Sequence, residues 1–337
     1  MSKKIAVFAK KLNNKTIPEK NIFFINLLYN LKKVGYLVEI YDQNFYQKSY
    51  LKSKTKNLQR YFNNFVNKSS YPFFSKKITD CDFEIFDHTI SQTSDKQIIN
   101  VKPFYLKGHF YFDRLGFSGW SEICKDKSIL SNSNNKNEES FFLSHQNDII
   151  GNNKSKYHQI IKNESLPRDF SFFPIQLEGD SVNKLCKLKT IDLLQYIIKI
   201  FSNSSKKLVI KRHPKCKSKK IEKILHSTNK VKNIIISNES IHNLINKSNS
   251  VIVNNSGVGF ESLLHLKPIY TFGKSDYEIV TRRVNIDNFD IEKFEILSSE
   301  EIKKIKTFFY NVVYNYTIDC HSEASYIRAF KRTGIVE

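Results

Sequence analysis

From Asp169 to Gly273, short apolar runs alternate with segments of helical periodicity. "DFSFFPIQ", "KKLVIKRHP", "VKNIIIS", "SVIVNN" and "KPIYTFG" read as strands bounded by turn residues. Between them, Thr190 to Ser202 sets Ile191, Leu194, Ile197 and Ile198 near helical spacing, and "KIEKILHS", "SIHNLINKS" and "GFESLLHL" read as shorter helices. Repetition of strand, helix and strand demands a parallel sheet, because neighbouring parallel strands can be joined only by a crossover, and crossovers are right-handed. The N-terminus opens in the same way. "KKIAVFA" is a strand, Ile17 to Val34 an amphipathic helix and "YLVEIYD" a second strand, with Pro18 in the helix's first turn and Gly35 at its C-terminal cap. The expected fold is therefore α/β, with two Rossmann-like domains facing across a cleft. The first covers 1–165 and the second 166–315, and a helical segment over 316–337 returns to the first. Residues 126–165 are rich in Asn, Lys and Ser ("SNSNNKNEES", "GNNKSKYHQ") and read as loops with a helix or two leading into the second domain.

Composition narrows the function. The formal charge of +21 raises the question of nucleic acid, yet the lysines run from end to end, accompanied by asparagine and isoleucine. No helix-turn-helix, zinc-finger or RNP-like pattern accompanies them, so no specific nucleic-acid partner is expected. Spread lysines suffice for peripheral attraction to an anionic membrane. No run approaches the roughly 18–20 apolar residues of a span, and the apolar stretch in "MSKKIAVFAKK" is too short for a signal peptide. Cys81, Cys124, Cys186, Cys216 and Cys320 are odd in number and lack CxxC spacing, against both a disulfide framework and a zinc site. A cytoplasmic protein is expected, at the inner face of the membrane if it associates with one.

Ligands of open parallel sheets bind beyond the carboxyl ends of the strands. Three such ends carry unusual residues: "QLEGDS", "KRHP" and "NNSGVGFE". In the last, Ser256, Gly257 and Gly259 stand between a strand and a helix start, where free N–H groups and the helix dipole favour an anion and glycine admits a phosphate closely. An ordinary tight turn with Ser256 as N-cap accounts for the same residues. GxGxxG and GK[ST] are both absent, which sets aside the dinucleotide fingerprint and the P-loop.

Taken in order, "FFPIQLEGDS", "VIKRHP" and "NNSGVGFESLLHLKPIYTFGKSDY" resemble the capsular polysaccharide synthesis family, which includes retaining β-Kdo transferases that use CMP-Kdo. The likeness is strongest over 171–278 and fainter at "FYLKGHFYFDRLGFSGWSE", which resembles an acceptor-side segment. Where those transferases show paired acidic residues after the glutamine, this chain has Gly179 before Asp180. The resemblance implies a GT-B glycosyltransferase with a CMP-sugar donor, a glycolipid or glycan acceptor and no cofactor. No DxD-type pair stands at a strand end, so no metal is expected.

Site roles follow from matched position and chemistry. Phosphate departure calls for convergent donors, and His213 before Pro214 suits that task. Lys211 and Arg212 point to opposite faces if the strand persists, so at most one reaches the ligand easily. The resemblance implies that Glu261 grips ribose hydroxyls; in the first turn of its helix it also complements the dipole. Tyr277 either borders the base or belongs to the core. A retaining transfer needs a carboxylate beside the anomeric carbon. Asp180 takes that role with Glu178 as rival, and Gln176 orients donor or nucleophile; as an alternative, Asp180 only caps the following helix. On the acceptor side, Asp113 and Arg114 suit sugar hydroxyls, and Trp120 offers either a flat face to sugar or an aromatic corner. Asp113 or Glu122 serves as general base. Two other functions remain open: a GT-B transferase using a different nucleotide sugar, and a non-catalytic nucleotide- or carbohydrate-binding component of polysaccharide assembly.

Overall fold

A computed structural model describes residues 3–9, 19–42, 81–91, 97–131, 137–294 and 296–337. Pro18 and the first residue of the expected helix, Ile17, lie outside the described residues. The chain forms two compact units, one of Met1–Lys125 with Val312–Glu337 and one of Asp126–Asn311.

In the first unit, β1 (Lys4–Ala9), α1 (Glu19–Lys33) and β2 (Leu37–Asp42) make the expected parallel crossover, with Ile5 opposite Val38. β1 lies inside the sheet between β2 and β3, and Ile5 to Ala9 are buried on both faces. Phe23, Phe24, Leu27, Leu28 and Leu31 of α1 close one face of the sheet. Gly35 ends the helix at φ 93°, which lets Tyr36 N–H reach back to Leu31 O at 3.1 Å. β3 (Phe83–Asp87) and β4 (Ile98–Pro103) extend the parallel part, and β5 (His109–Asp113) turns antiparallel. The C-terminal strand Thr317–Asp319 then pairs antiparallel with β5, and the helix Glu323–Arg332 packs beside α1, where Tyr326 O–H donates to Phe23 O at 3.0 Å.

In the second unit, α2 (Glu138–Gly151) precedes β6 (Phe170–Pro174), α3 (Thr190–Ser202), β7 (Lys207–Lys211), α4 (Lys219–Thr228) and β8 (Ile234–Ile236). There follow α5 (Ile241–Lys247), β9 (Ser250–Val253), α6 (Gly257–Leu263), β10 (Ile269–Thr271), β11 (Arg282–Arg283) and α7 (Ser299–Tyr310). All six strands are parallel, in the order β11-β10-β9-β6-β7-β8. From β6 the chain builds outward through β7 and β8, then returns to β9 on the other side of β6. The strand order therefore reverses between β6 and β9, the place where open parallel sheets hold ligands.

Residues 126–165, grouped with the first domain on their composition, belong to this second unit. The reason is packing that their loop-like sequence does not advertise. Phe142 of α2 is buried against Phe309 of α7, and Thr307 O–H donates to Glu138 at 2.9 Å.

Candidate nucleotide-sugar site

The loops after β6 and β9 are joined at the switch point. Gln176 Nε2 donates to Asn255 Oδ1 at 2.8 Å and its Oε1 accepts from Asn255 N–H at 3.3 Å. With the side chain 5% exposed and both ends of its amide bonded to Asn255, Gln176 holds two loops in register. One Nε2–H and one lone pair of Oε1 remain for the role expected of it, orienting donor or nucleophile.

Asp180 lies just beyond, exposed, with Oδ1 accepting from Val182 N–H at 3.4 Å as cap of the 3₁₀ turn Ser181–Leu185. The capping reading of Asp180 is thus observed, and a contact that long leaves the exposed carboxylate able to reach a ligand. Its charge acts on Lys156, Tyr157 and His213. Glu178 is also exposed.

His213 follows β7 and accepts from Lys215 N–H at Nδ1, 3.1 Å away. That contact assigns the proton of the neutral ring to Nε2. Burial lowers its pKa, with Lys215 and Lys156 in the same direction and Asp180 opposing. The ring therefore presents an Nε2–H donor at neutral pH. Arg212, expected beside it, turns away: its guanidinium donates to Ser218 O at 3.1 Å and lies 3.9 Å from Glu222. Lys211 is spent on the carbonyls of Asn238 and Glu239.

The turn at 254–259 answers a packing demand as well as a polar one. Ser256 caps α6, accepting from Val258 N–H at 3.3 Å. Tyr277 is fully buried and donates to Ser256 O at 2.6 Å, so it braces the turn from beneath and does not border a base. Gly259 is glycine for the same reason. A Cβ there would sit 2.5 Å from the Tyr277 hydroxyl and 2.8 Å from its ring. A buried ring cannot yield that space, so Gly259→Ala is expected to cost about 2 kcal/mol or more, read as a lower urea midpoint. Gly257 opens the helix, half-buried.

Glu261 of α6 is 4% exposed. Ser155 O–H donates to its carboxyl at 3.0 Å, and Lys156 supplies a backbone N–H. Burial nevertheless pushes its pKa up to about 8 from 4.5, against those bonds and the Lys156 charge. A carboxyl raised in the folded state loses stability as pH climbs through this interval, because the unfolded chain ionises first. Glu261→Gln should therefore raise the melting temperature at pH 8.5 by a few degrees, with the gain vanishing near pH 4.5. A constant difference across that range would contradict the assignment.

Sequence reading missed the segment that carries Ser155. Residues 153–165 run as an extended strap over the ends of β7, β8 and β9. His242 Nε2–H donates to Lys154 O at 2.7 Å, and Gln159 accepts from Ile241 N–H at 3.3 Å. Glu239, 1% exposed, accepts from Lys162 N–H at 3.1 Å and Glu164 N–H at 3.0 Å. Tyr157 of the strap meets the His213 ring edge-on at 5.2 Å, and Lys215 Nζ lies 4.6 Å from the Tyr157 ring centre. The strap is low in complexity and without periodicity; only its bonding partners, far off in sequence, reveal it.

The residues expected on the acceptor side lie in the first unit and are largely committed to structure. Asp113 is 2% exposed and accepts from Leu115 N–H and Gly116 N–H at 2.8 Å each, Ser121 O–H at 2.5 Å and Glu122 N–H at 3.0 Å. Burial raises its pKa to about 6, but four donors leave it organising a turn, without access to an acceptor hydroxyl. Glu122 pairs with Arg332 at 3.2 Å and accepts the Arg114 N–H at 3.2 Å. Trp120 is half-buried, its ring edge-on to Phe117 at 5.4 Å, an aromatic corner with one side open.

A reversed parallel sheet with nucleophile, phosphate-donor and ribose candidates at its carboxyl ends defines the class: an α/β protein with two Rossmann-like units of GT-B type. Residues 146–296 match the family model described as capsule polysaccharide biosynthesis protein. The resemblance to the capsule polysaccharide synthesis family thus holds over most of the second unit. The solved β-Kdo 2,7 transferase of Thermosulfurimonas dismutans KpsC shares the fold at 13% identity and TM-score 0.51, covering 78% of this chain and 89% of that one. The β-Kdo 2,4 transferase of the same KpsC aligns over 94% and 92% at 13% identity and TM-score 0.49. UDP-GlcNAc 2-epimerase of Methanocaldococcus jannaschii aligns over 99% and 100% at 12% identity and TM-score 0.36. A search of curated protein sequences finds no match. Among the described residues no helix is long and apolar enough to cross a membrane.

Proposed function

We propose that the protein is a glycosyltransferase of capsule or surface-polysaccharide synthesis that transfers Kdo from CMP-Kdo, with retention, to a glycolipid or glycan. The observation that carries this reading is the gathering of Asp180, His213 and Glu261 around the reversal point of one parallel sheet, in the segment that matches the capsule family. Asp180 is the nucleophile. One carboxylate oxygen bonds to the anomeric carbon while the bond from that carbon to the phosphate oxygen breaks, and CMP leaves with the electron pair. His213 Nε2–H stabilises the charge that develops on the departing phosphate. An acceptor hydroxyl then attacks the anomeric carbon of the glycosyl ester from the face CMP has vacated. The bond to the Asp180 oxygen breaks with its electron pair returning to the carboxylate, the hydroxyl proton passes to solvent, and the original anomeric configuration is restored. Glu261 receives the ribose hydroxyls. The spread lysines favour association with the anionic face of a membrane on the cytoplasmic side, where a lipid-linked acceptor is presented. The test is release of CMP from CMP-Kdo in the presence of a panel of lipid and glycan acceptors. Acceptor-dependent release supports the reading; turnover of UDP-sugars alone would shift it to a different nucleotide sugar.

A further inference from the structure

In a nucleotide sugar the phosphate lies between the anomeric carbon and the ribose. With Asp180 at the first and Glu261 at the second, a residue placed between those two carboxyls meets the phosphate. The strap puts one there. Ser155 is tied to Glu261 at 3.0 Å, and Tyr157 is packed on His213 with a ring separation of 5.2 Å. Lys156 stands between these two fixed points, its backbone N–H on Glu261 and its ammonium within electrostatic reach of Asp180, Glu261 and His213.

We propose that Lys156 is the principal cation for the donor's phosphate, so that the strap is part of the donor site. The inference rests on the nucleotide-sugar reading above and adds to it a residue from outside the three strand-end motifs. An ammonium within electrostatic reach of His213 adds a cationic donor from a different element, and two donors on one phosphate define its position better than one. The start of α6 offers less: the helix has seven residues, and Ser256 already takes the Val258 N–H. Burial lowers the Lys156 pKa while Asp180 and Glu261 raise it.

Calorimetric titration of CMP and of cytidine separates the phosphate from the rest of the nucleotide. Lys156→Met should weaken CMP about tenfold to a hundredfold, the range of one charge-assisted hydrogen bond, and leave cytidine unchanged. Unchanged cytidine binding also shows that the variant is folded. Lys156→Arg should keep most of the CMP affinity. Lys199→Met, which removes the same charge from an exposed position on α3, should affect neither ligand. Equal CMP binding by wild type and Lys156→Met, or an equal loss in Lys199→Met, overturns the assignment of Lys156 and leaves the nucleotide site standing. A wild type that binds neither CMP nor UDP rejects the nucleotide-sugar reading itself, and Lys156 with it.

Discussion

Asp180→Ala is expected to lower turnover of CMP-Kdo by about a thousandfold or more while CMP affinity stays within about twofold, because a nucleophile acts in the transition state and does not hold the leaving group. Asp180→Asn separates catalysis from capping. The amide keeps an oxygen for Val182 N–H, so the 3₁₀ turn at Ser181–Leu185 remains capped. An amide cannot form the glycosyl ester. If capping were the whole task of Asp180, the asparagine variant would turn over normally and the alanine variant would lose about 1 kcal/mol of stability with little else. Under the present account both variants are inactive.

Loss of Glu239 should have the largest structural effect. Burial by itself would raise this carboxyl, but N–H groups of Ser240, Glu164 and Lys162 and the Asn243 amide hold it at about 2, from 4.5. With the folded pKa depressed, the stabilisation is complete above about 4.5 and lost as pH falls toward 2. A shift of that size corresponds to roughly 3 kcal/mol. Glu239→Ala should cost a similar amount and leave the strap's Lys162 and Glu164 N–H groups without their acceptor. The expected readout is a lower melting temperature at pH 7, a gap to wild type that narrows below pH 4, and weaker CMP binding because Lys156 loses its support. Wild-type CMP affinity in a destabilised Glu239→Ala would detach the strap from the donor site.

The sheet of the second unit was legible because its strands are continuous apolar runs, as strands buried on both faces must be, and its helices start and stop at their own signals. Thr190 to Ser202 forms the helix whose apolar spacing announced it. The three strand ends were legible for the same reason, since a polar cluster after a buried strand has few other places to go. What each residue does there was less so. Tyr277 and Gly259 form one packing pair across 17 intervening residues, and nothing in either local sequence reports the contact. Gln176 bonds both the side-chain oxygen and the backbone N–H of Asn255 across 79 positions. Asp113 looked like an acidic group beside a tryptophan; four local donors make it the centre of a turn. The first unit's antiparallel edge depends on a three-residue strand, Thr317–Asp319, that pairs with β5 some two hundred residues earlier, and a strand so short has no period to read.

The central claim is a retaining transfer through a glycosyl ester on Asp180. Intact-protein mass spectrometry of the wild type, incubated with CMP-Kdo and no acceptor, tests it most directly. A sugar-sized mass increase that peptide mapping places on Asp180, absent from Asp180→Asn, is the predicted result. An adduct on Glu178, or full turnover by Asp180→Asn, would contradict it.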